Sequence, residues 1–441
     1  MLERIRAAGV VGAGGAGFPT HVKYDARVEL VIANGAECEP LARSDQQAMA
    51  AQPAEVLRGL ELAMAATGAA EGVIGLKAKY AEAIERLEEL IRLKRLQDRI
   101  RLHRLENFYP AGDEFVLVRE VTGRAIPEFG LPLAVGAVVS NVSTLIDVAA
   151  AVDRGEPVCH RSVTVAGAVA EPGTFRVPVG TPLELALRAA GGAIDRRARL
   201  IAGGPMMGVL TEPGAPVTKT TSILLALPER HPVIQRRLRD TARQLHLTRS
   251  ACLKCMLCTE VCPRNLLGHR LFPDRLMRSL AAGVAEDLEA YTGAYLCSEC
   301  GLCAVYGCVM NLDPCYVNRQ MKARLAEASV PRPEPVERAE RVFGPLRRVP
   351  TPRLIARLGL SEYDRPAPLR PFDADGLTRL RLPLKQHTGV PAVPEVVVGQ
   401  EIAAGELVGE IPDGKLGARV HSAAAGTVIE VGPEHVTVEL G

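Results

Sequence analysis

The spacing of the cysteines constrains this 441-residue chain more than any other feature of its sequence. Eight of the 11 cysteines form two short runs, Cys252, Cys255, Cys258 and Cys262, and Cys297, Cys300, Cys303 and Cys308. The first run has the spacing C-x2-C-x2-C-x3-C-P of bacterial two-cluster ferredoxins. The second run has one more residue before its last cysteine and no proline after it. This spacing predicts two [4Fe–4S] clusters in an α-helical, ferredoxin-like domain.

The fourth cysteine of each run is expected to bind the cluster of the other run, as in two-cluster ferredoxins. This rule assigns one cluster to Cys252, Cys255, Cys258 and Cys308, and the other to Cys297, Cys300, Cys303 and Cys262. A pair of zinc sites is the alternative, but two C-x2-C-x2-C runs hold more cysteines than tetrahedral zinc uses. Cys315 is an alternative ligand to Cys308, because the second run is irregular. Two adjacent clusters favour electron transfer over a purely structural role.

Composition and charge exclude several other functions. Lysine plus arginine (53) nearly balances aspartate plus glutamate (51), and tryptophan is absent, so we expect no nucleic-acid partner. The N-terminal segment lacks the apolar core of a signal peptide, and no apolar run of about 18 residues could cross a bilayer. Cysteines that bind metal rather than form disulfides suit a reducing compartment. These features predict a cytoplasmic protein without a direct membrane span.

The order of sequence patterns predicts four folded domains. Strand-like runs at 28–34 and 72–77 alternate with helical periodicity at 54–66 and 80–91, which indicates an α/β domain. Residues 330–353 are rich in proline and charged residues, which is the composition of a linker. The predicted divisions are an α/β flavin-binding domain at 1–155, a β-grasp-like module at 156–228, the α-helical two-cluster domain at 229–330, a linker at 331–375 and a β barrel-sandwich domain at 376–441.

Four polar or glycine-rich segments in the first domain are candidate ligand-binding loops. Residues 12–20 read GAGGAGFPT with Lys23 close behind, so the backbone could approach a phosphate and a cation could neutralise it. Residues 34–40 (NGAECEP) directly follow a buried strand, where α/β sheets present ligand-binding loops. Residues 109–114 (YPAGDE) and 140–144 (SNVST) add two polar clusters. Taken singly, the glycine-rich segment is equally compatible with a plain tight turn, and the two polar clusters at 109–114 and 140–144 would favour ordinary turn and cap chemistry.

Together these segments resemble a known family. The motifs G-x-G-G-A-G-F-P-T-x-x-K, N-G-A-E-C-E-P, Y-P-A-G-D-E and N-V-x-T are similar to the flavin- and NADH-binding part shared by RnfC, the PduS type of cobalamin reductase and the flavoprotein subunit of respiratory complex I. Residues 162–226 resemble the SLBB module of that group. The segment KQHTGVP at 385–391 resembles the barrel-sandwich domain that opens RnfC chains. Here that segment closes the chain, which is the PduS-like order.

The resemblance implies a set of cofactor contacts in the first domain. The implied FMN contacts are Gly12, Gly14, Gly15, Lys23, Asn34, Glu37, Tyr109, Asn141 and Thr144. The implied NADH contacts are Phe18, Glu39 and Glu114. Ala36 stands where the complex I subunit has an acidic residue, as in RnfC-like and PduS-like patterns. A second aromatic residue that helps to hold the nucleotide in complex I has no counterpart near Asp25, so NADH is less strongly implied than FMN.

The same resemblance implies an NADH-dependent oxidoreductase. Electrons would pass from NADH to FMN, then to two [4Fe–4S] clusters and on to a redox partner, which for a PduS-like protein is a corrinoid-binding protein. The alternative is an RnfC-like electron-wiring subunit of a larger redox complex without NADH activity of its own. Either interpretation implies an oligomer or complex subunit. The implied location is within a bacterial microcompartment or at the periphery of a membrane complex.

Overall fold

The computed structural model describes residues 1–282 and 287–441. Residues 283–286, which belong to the predicted two-cluster domain at 229–330, lie outside the described residues. Among the helices of these described ranges, none is long and apolar enough to cross a membrane.

The N-terminal domain is a parallel sheet covered by helices. The sheet has the order β3-β2-β1-β5, and every pairing in it is parallel. Its strands and the short strand β4 are β1 (Leu30–Gly35), β2 (Glu71–Lys77), β3 (Ile100–Leu105), β4 (Phe108–Tyr109) and β5 (Ala137–Asn141). The helices are α1 (Leu2–Ala7), α2 (Thr20–Lys23), α3 (Ser44–Ala51), α4 (Pro53–Thr67), α5 (Ala81–Leu93), α6 (Glu114–Thr122) and α7 (Val142–Ala149), with helical turns at 132–135 and 150–154.

The sequence explains both the burial of this sheet and the position of its crevice. Strand β2 is buried at every position after Glu71, as expected for a strand covered by helices on both faces. Helix α4 starts with Pro53 in its first turn and ends at Gly68, which has a φ of 71°. The chain proceeds from β1 to β2 and β3 on one side of the sheet and then returns to β5 on the other side of β1. Such a reversal opens a crevice at the carboxyl ends of β1 and β5.

The second domain is a six-stranded mixed sheet with one helix, which confirms the predicted β-grasp-like class. The strand order is β12-β7-β6-β10-β8-β9, where the edge strand β12 (Leu369–Arg370) comes from a later part of the chain. Strand β6 is antiparallel to β7 and parallel to β10. The elements are β6 (His160–Gly167), β7 (Gly173–Pro178), α8 (Leu183–Ala189), β8 (Ala198–Ala202), β9 (Val209–Thr211) and β10 (Ile223–Pro228). Val163, Val165 and Phe175 form its core together with apolar residues of α8.

The cysteine runs lie in a region of short helices. These are α9 (Pro232–Arg237), α10 (Thr241–Ala251), α11 (Leu257–Glu260), α12 (Pro263–Leu266), α13 (Pro273–Ala282), α14 (Leu288–Thr292) and α15 (Pro314–Glu327), with helical turns at 293–296 and 303–307. Proline stands in the first turn of α9, α12 and α15, where its missing N–H is not needed. Asp240 and Asp313 cap the backbone N–H groups at the starts of α10 and α15.

The segment at 331–375, predicted as a linker, adds structure to two other domains. It contains β11 (Val349–Pro350), α16 (Thr351–Leu358) and β12 (Leu369–Arg370). Strand β11 pairs with β4 of the first domain, and β12 extends the second domain's sheet by pairing with β7. Leu354, Ile355 and Leu358 of α16 are buried. This helix is short and amphipathic, and the surrounding prolines and charged residues give the segment the composition of a linker.

The C-terminal domain consists of two small antiparallel sheets. Their orders are β13-β19-β18-β15 and β14-β16-β17. The strands are β13 (Arg379–Pro383), β14 (Val393–Pro394), β15 (Glu401–Ile402), β16 (Leu407–Glu410), β17 (Val420–His421), β18 (Gly426–Val431) and β19 (His435–Leu440). Leu380, Leu382, Val408, Val428 and Val438 fill the space between the sheets. The predicted barrel-sandwich class is thereby confirmed.

Candidate functional site

A cavity of about 710 Å³ opens at the carboxyl ends of β1 and β5. The glycine-rich loop at 12–17, the loop after β1 and the start of α7 form its walls. It is lined by every residue predicted to contact FMN or NADH except Thr144. The structure therefore brings together residues that are more than 120 positions apart in the chain. The cavity is within the size range of cofactor pockets.

The glycine-rich loop is held at the cavity from two sides. The backbone N–H of Ala13 donates to Oγ1 of the buried Thr144 at 2.9 Å, so Thr144 positions the loop from behind the cavity wall. The hydroxyl of Thr388, in the C-terminal domain, donates to the carbonyl of Ala16 at 2.8 Å. A Cβ at Gly14 would lie 3.0 Å from Nδ2 of Asn141, whereas one at Gly15 would meet nothing within 4 Å. The close approach to Asn141 favours glycine at position 14.

A cluster of carboxyl groups lies behind this loop, and sequence reasoning missed one of its members. Asp45 accepts hydrogen bonds from Nδ2 of Asn141 at 2.7 Å and from Oγ of Ser143 at 3.0 Å. Burial, with the nearby carboxylates of Asp45 and Glu39, raises the pKa of Glu37 to about 8. Asp45 lies just beyond the NGAECEP motif, and the only signal for it was its position at the start of α3.

Two of the three residues with a predicted role in NADH binding, Glu39 and Glu114, are engaged with other parts of the protein, whereas Phe18 lines the cavity and is exposed. Glu114 accepts a hydrogen bond from Nζ of Lys23 at 3.0 Å, so a predicted NADH contact pairs with a predicted FMN contact. Glu39 accepts the backbone N–H groups of Met206 and Met207, each at 2.9 Å. Burial raises the pKa of Glu39 to about 7, although these two N–H groups oppose the shift. Glu39 thus fixes the 203–208 loop of the second domain at the cavity.

The cysteines line two separate cavities. One is lined by Cys252, Cys255, Cys258 and Cys308. The other is lined by Cys262, Cys297, Cys300, Cys303 and Cys315. Each predicted set of four is therefore brought together, with the fourth cysteine exchanged between the runs. Cys315 lies with the second set and not in place of Cys308, which sequence spacing could not reveal because α15 carries it.

The two cysteine loops have the same backbone conformation. The residues immediately before and after the middle cysteine have positive φ in both loops: 57° at Lys254 and 66° at Met256, and 60° at Glu299 and 76° at Gly301. Alternation of right- and left-handed conformations turns successive N–H groups towards one side, which forms a concavity for an anion. Four thiols around such a concavity fit a thiolate-bound cluster. Within the described residues, no three His, Cys, Asp or Glu side chains form a site for a single metal ion.

The large cavity and the second cysteine set share a wall. Ser298 and Cys300 line both cavities. The buried hydroxyl of Tyr109 donates to the carbonyl of Cys300 at 2.8 Å. Arg264, two residues after Cys262, donates two hydrogen bonds to Asp113 at 2.8 and 3.1 Å. Both contacts join the loop at 109–114 to the second cysteine set.

The first cysteine set lies at the protein surface. Cys255 is exposed, whereas Cys300, its counterpart in the second loop, is buried. Four exposed apolar side chains line the same cavity as Cys255: Leu253 (61% exposed), Met256 (47%), Val309 (56%) and Met310 (43%). We call these four residues the apolar rim.

Comparisons with known protein families agree with this arrangement. Models of a Nuo51 FMN-binding domain, an SLBB domain, a 4Fe-4S dicluster domain and an RnfC barrel sandwich hybrid domain match residues 5–150, 162–210, 251–313 and 372–440. This order of domains defines an electron-transfer flavoprotein with iron–sulfur centres. The predicted fold classes and the predicted FMN and [4Fe–4S] cofactors are confirmed.

Individual relatives identify the family within this class of flavoproteins. The chain is 44% identical to the cobalamin reductase PduS of Salmonella typhimurium, and the match covers 100% of this chain and 96% of that protein. Its identity to the PduS of Citrobacter freundii is 43%, with the same coverage. The chain belongs to the PduS cobalamin reductase family. It is also 36% identical to one subunit of the Na(+)-translocating ferredoxin:NAD(+) oxidoreductase complex of Acetobacterium woodii, over 60% of this chain and 58% of that subunit.

A solved structure supports the fold. The NAD+-reducing [NiFe]-hydrogenase in its H2-reduced state matches with a TM-score of 0.50 and 22% identity, over 76% of this chain and 62% of that chain. At this level of identity the likeness concerns the fold alone.

Proposed function

We propose that this protein is an NADH-dependent oxidoreductase that uses FMN and two [4Fe–4S] clusters to reduce a corrinoid held by a partner protein. The observation that carries the proposal is the wall at Ser298 and Cys300, which the large cavity shares with the second cysteine set. The name of the PduS relatives supports the choice of a corrinoid. Bound FMN would take a hydride from NADH and release single electrons, which thiolate-bound clusters can carry.

The residues of the large cavity would bind and orient the flavin. Backbone N–H groups of the glycine-rich loop, together with Lys23, suit a phosphate, because they supply donors and a positive charge. Asn34 and Asn141 would supply side-chain amides. Burial and the neighbouring carboxylates raise the pKa of the Glu37 carboxyl, which favours its protonated form as a hydrogen-bond donor to an acceptor atom of the flavin. These contacts, and those of Gly12, Gly14, Gly15, Tyr109 and Thr144, remain proposals, as do the NADH contacts of Phe18, Glu39 and Glu114.

The cysteine sets would hold one cluster each. We propose Cys252, Cys255, Cys258 and Cys308 for the first, and Cys297, Cys300, Cys303 and Cys262 for the second. The second set adjoins the cavity and the first reaches the surface, so the order from cavity to surface is second set, then first set.

The apolar rim is the proposed docking surface for the partner protein. Apolar residues grouped around an exposed cysteine ligand offer a contact that a partner can desolvate. Exposed Lys254 lines the same cavity as the apolar rim. Its positive charge favours a partner with an acidic group beside the apolar contact. We further propose a cytoplasmic location, with the protein either inside a microcompartment or bound at the periphery of a membrane complex.

Anaerobic purification with quantified iron, sulfide and flavin, followed by NADH titration, tests the proposal. We expect about eight irons per chain from two [4Fe–4S] clusters, together with stoichiometric FMN, and bleaching of the visible spectrum by NADH. Addition of cob(III)alamin should then reoxidise the protein. Lys23→Ala should lower the flavin content and leave iron unchanged, whereas Lys94→Ala, an exposed lysine on another face, should change neither.

The opposite result would identify a different role. Full iron content without flavin and without a response to NADH would contradict the proposed activity. It would favour the RnfC-like alternative, an electron-wiring subunit of a larger complex. The similarity to one subunit of the oxidoreductase complex of Acetobacterium woodii supports that alternative.

A further inference from the structure

One wall of the large cavity belongs to the second domain and contains none of the predicted flavin contacts. It consists of residues 160–162 at the start of β6, Arg176 near the end of β7 and residues 220–222 before β10. Because β6 is parallel to β10 and antiparallel to β7, these three strand ends lie side by side. They lie outside residues 5–150, which match the FMN-binding domain. We call these residues the strand-end wall.

Arg161 is a buried cation of the strand-end wall, and one of its donors is unused. Its side chain is 6% exposed. Nη1 donates to Oδ2 of Asp147 at 2.7 Å, and Nε donates to the carbonyl of Lys219. Nη2 is also buried and has no hydrogen-bond partner among the described residues. A buried N–H group without a partner costs free energy, so this nitrogen suits an acceptor that the chain itself does not supply.

Three other side chains of the strand-end wall also have free donors. Ser162 and Arg176 stand directly opposite each other on β6 and β7, so their side chains lie on the same face of the sheet. Ser222 lies on the segment before β10. Within the part of the chain that the structure describes, these two hydroxyls and this guanidinium form no hydrogen bond or ion pair with other side chains or the backbone. Donors without partners therefore converge from three neighbouring strands.

The charge on this side of the cavity is also unbalanced. Arg161 pairs with Asp147, and Arg154 pairs with Glu156 beside the strand-end wall. Arg176 is left without a carboxylate partner among the described residues. The remaining carboxyl groups of the cavity belong to the first domain. Free donors and a surplus of positive charge together favour an anion.

We propose that the strand-end wall is a subsite for a phosphoryl group of a bound nucleotide. This inference rests on the proposed function, because FMN and NADH are the phosphate-bearing ligands proposed for this cavity. A phosphoryl group offers several acceptor oxygens, which fits donors that come from three strands. Arginine binds such a group through two parallel N–H donors, and the exposed guanidinium of Arg176 is free to do so.

Helix α7 connects this subsite with the proposed flavin contacts. Asn141 caps the start of the helix by accepting the backbone N–H of Ser143. Asp147, the partner of Arg161, lies on the same helix about one turn after Ser143. The phosphoryl group belongs either to FMN or to the dinucleotide. These two sources differ in which ligand loses affinity when the subsite is changed.

Two dissociation constants measured on the anaerobically purified holoprotein test the subsite and identify the source of the phosphoryl group. Dilution, with released flavin measured by its fluorescence, gives the Kd of FMN. Calorimetric titration with ADP-ribose, which carries the phosphates of the dinucleotide without its nicotinamide, gives the second Kd. We expect Arg176→Ala to raise one of them about tenfold, as for loss of a hydrogen bond to a charged group.

Two further variants control this comparison. Arg176→Lys should restore only part of the affinity, because lysine keeps the charge and loses the two parallel donors. Arg199 is an exposed arginine on β8 of the same sheet and does not line the cavity. Arg199→Ala should therefore change neither constant.

The outcomes separate the two sources and the two proposals. A higher Kd for FMN alone would assign the subsite to the phosphate of the flavin, and a higher Kd for ADP-ribose alone would assign it to the dinucleotide. Unchanged constants for both ligands in Arg176→Ala would overturn the subsite. Weaker binding of both together with a lower melting temperature would also overturn it, because that combination indicates damage to the domain. A wild-type protein without flavin and without affinity for ADP-ribose would contradict the proposed function itself, and the subsite with it.

Discussion

Replacement of Tyr109 by phenylalanine isolates the contact that joins the large cavity to the second cysteine loop. The tyrosine side chain is buried, and its hydroxyl donates to the Cys300 carbonyl at 2.8 Å. Phenylalanine keeps the ring and its packing, so the substitution removes one hydrogen bond and leaves a buried carbonyl without that donor. The expected cost is about 1–2 kcal/mol, within the range for an unsatisfied buried polar group.

Amide hydrogen exchange of the anaerobic holoprotein measures this loss of stability in the second cysteine loop itself. A loss of about 1–2 kcal/mol corresponds to a roughly 5–30-fold higher population of the locally open loop. Exchange in residues 297–303 of Tyr109→Phe should therefore be roughly 5–30-fold faster. The loop at 252–258 has the same backbone pattern without this contact and serves as the internal comparison.

A second variant controls for the loss of a tyrosine hydroxyl in the same domain. The buried hydroxyl of Tyr24 forms a 2.8 Å hydrogen bond with Oγ of Ser140, away from the cysteine loops. Tyr24→Phe should leave the exchange of residues 297–303 unchanged. Equal acceleration of both loops in Tyr109→Phe, or none in either, would refute the view that Tyr109 stabilises the second loop specifically.

Two further predictions concern buried charges. Arg264→Ala should lower the free energy of unfolding by about 3 kcal/mol in denaturant or thermal unfolding. The largely buried Asp113 would lose its charge partner and keep only the backbone N–H groups of Phe115 and Val116. Arg124→Ala, which breaks an exposed pair with Glu29, should cost at most about 1 kcal/mol. Burial lowers the pKa of Lys219 to about 8, so the folded state disfavours the charged form and stability should rise as the pH rises from about 8 towards the ordinary lysine pKa. Lys219→Met should abolish this rise, and an identical pH dependence in both proteins would contradict the argument.

The cysteine sets and the loops of the large cavity were predictable from sequence for different physical reasons. The spacing within each cysteine run is local, so the short loops and their similar backbone conformations follow directly from it. The exchange of the fourth cysteine is not local, and it was predictable only because the ferredoxin pattern fixes it. Two of the cavity loops, at 34–40 and 140–144, follow the ends of β1 and β5, and these parallel neighbours bring their carboxyl ends to one edge of the sheet. The loops at 12–17 and 109–114 follow no strand of this sheet and were recognised only through the family resemblance of their motifs.

The features that sequence reasoning missed depend on contacts between distant elements. Asp45 belongs to the site because α3 places it against Asn141, and no motif marks it. Cys315 joins the second set because α15 packs against the loop, although it lies only seven positions after Cys308. The segment at 331–375 has the composition of a linker, yet two of its short strands gain their partners in other domains. Composition cannot reveal pairing of this kind.

The C-terminal domain supports the glycine-rich loop at the large cavity through contacts with that loop. Nζ of Lys219 donates to the carbonyls of Gly9 and Arg419, each at 2.7 Å, and so connects the first, second and C-terminal domains at one point. A Cβ at Gly17 would lie 2.9 Å from Cα of His387, which shows how closely this domain packs on the glycine-rich loop. Because the domain acts through these contacts and not through its covalent connection, it can support the same loop from either end of a chain.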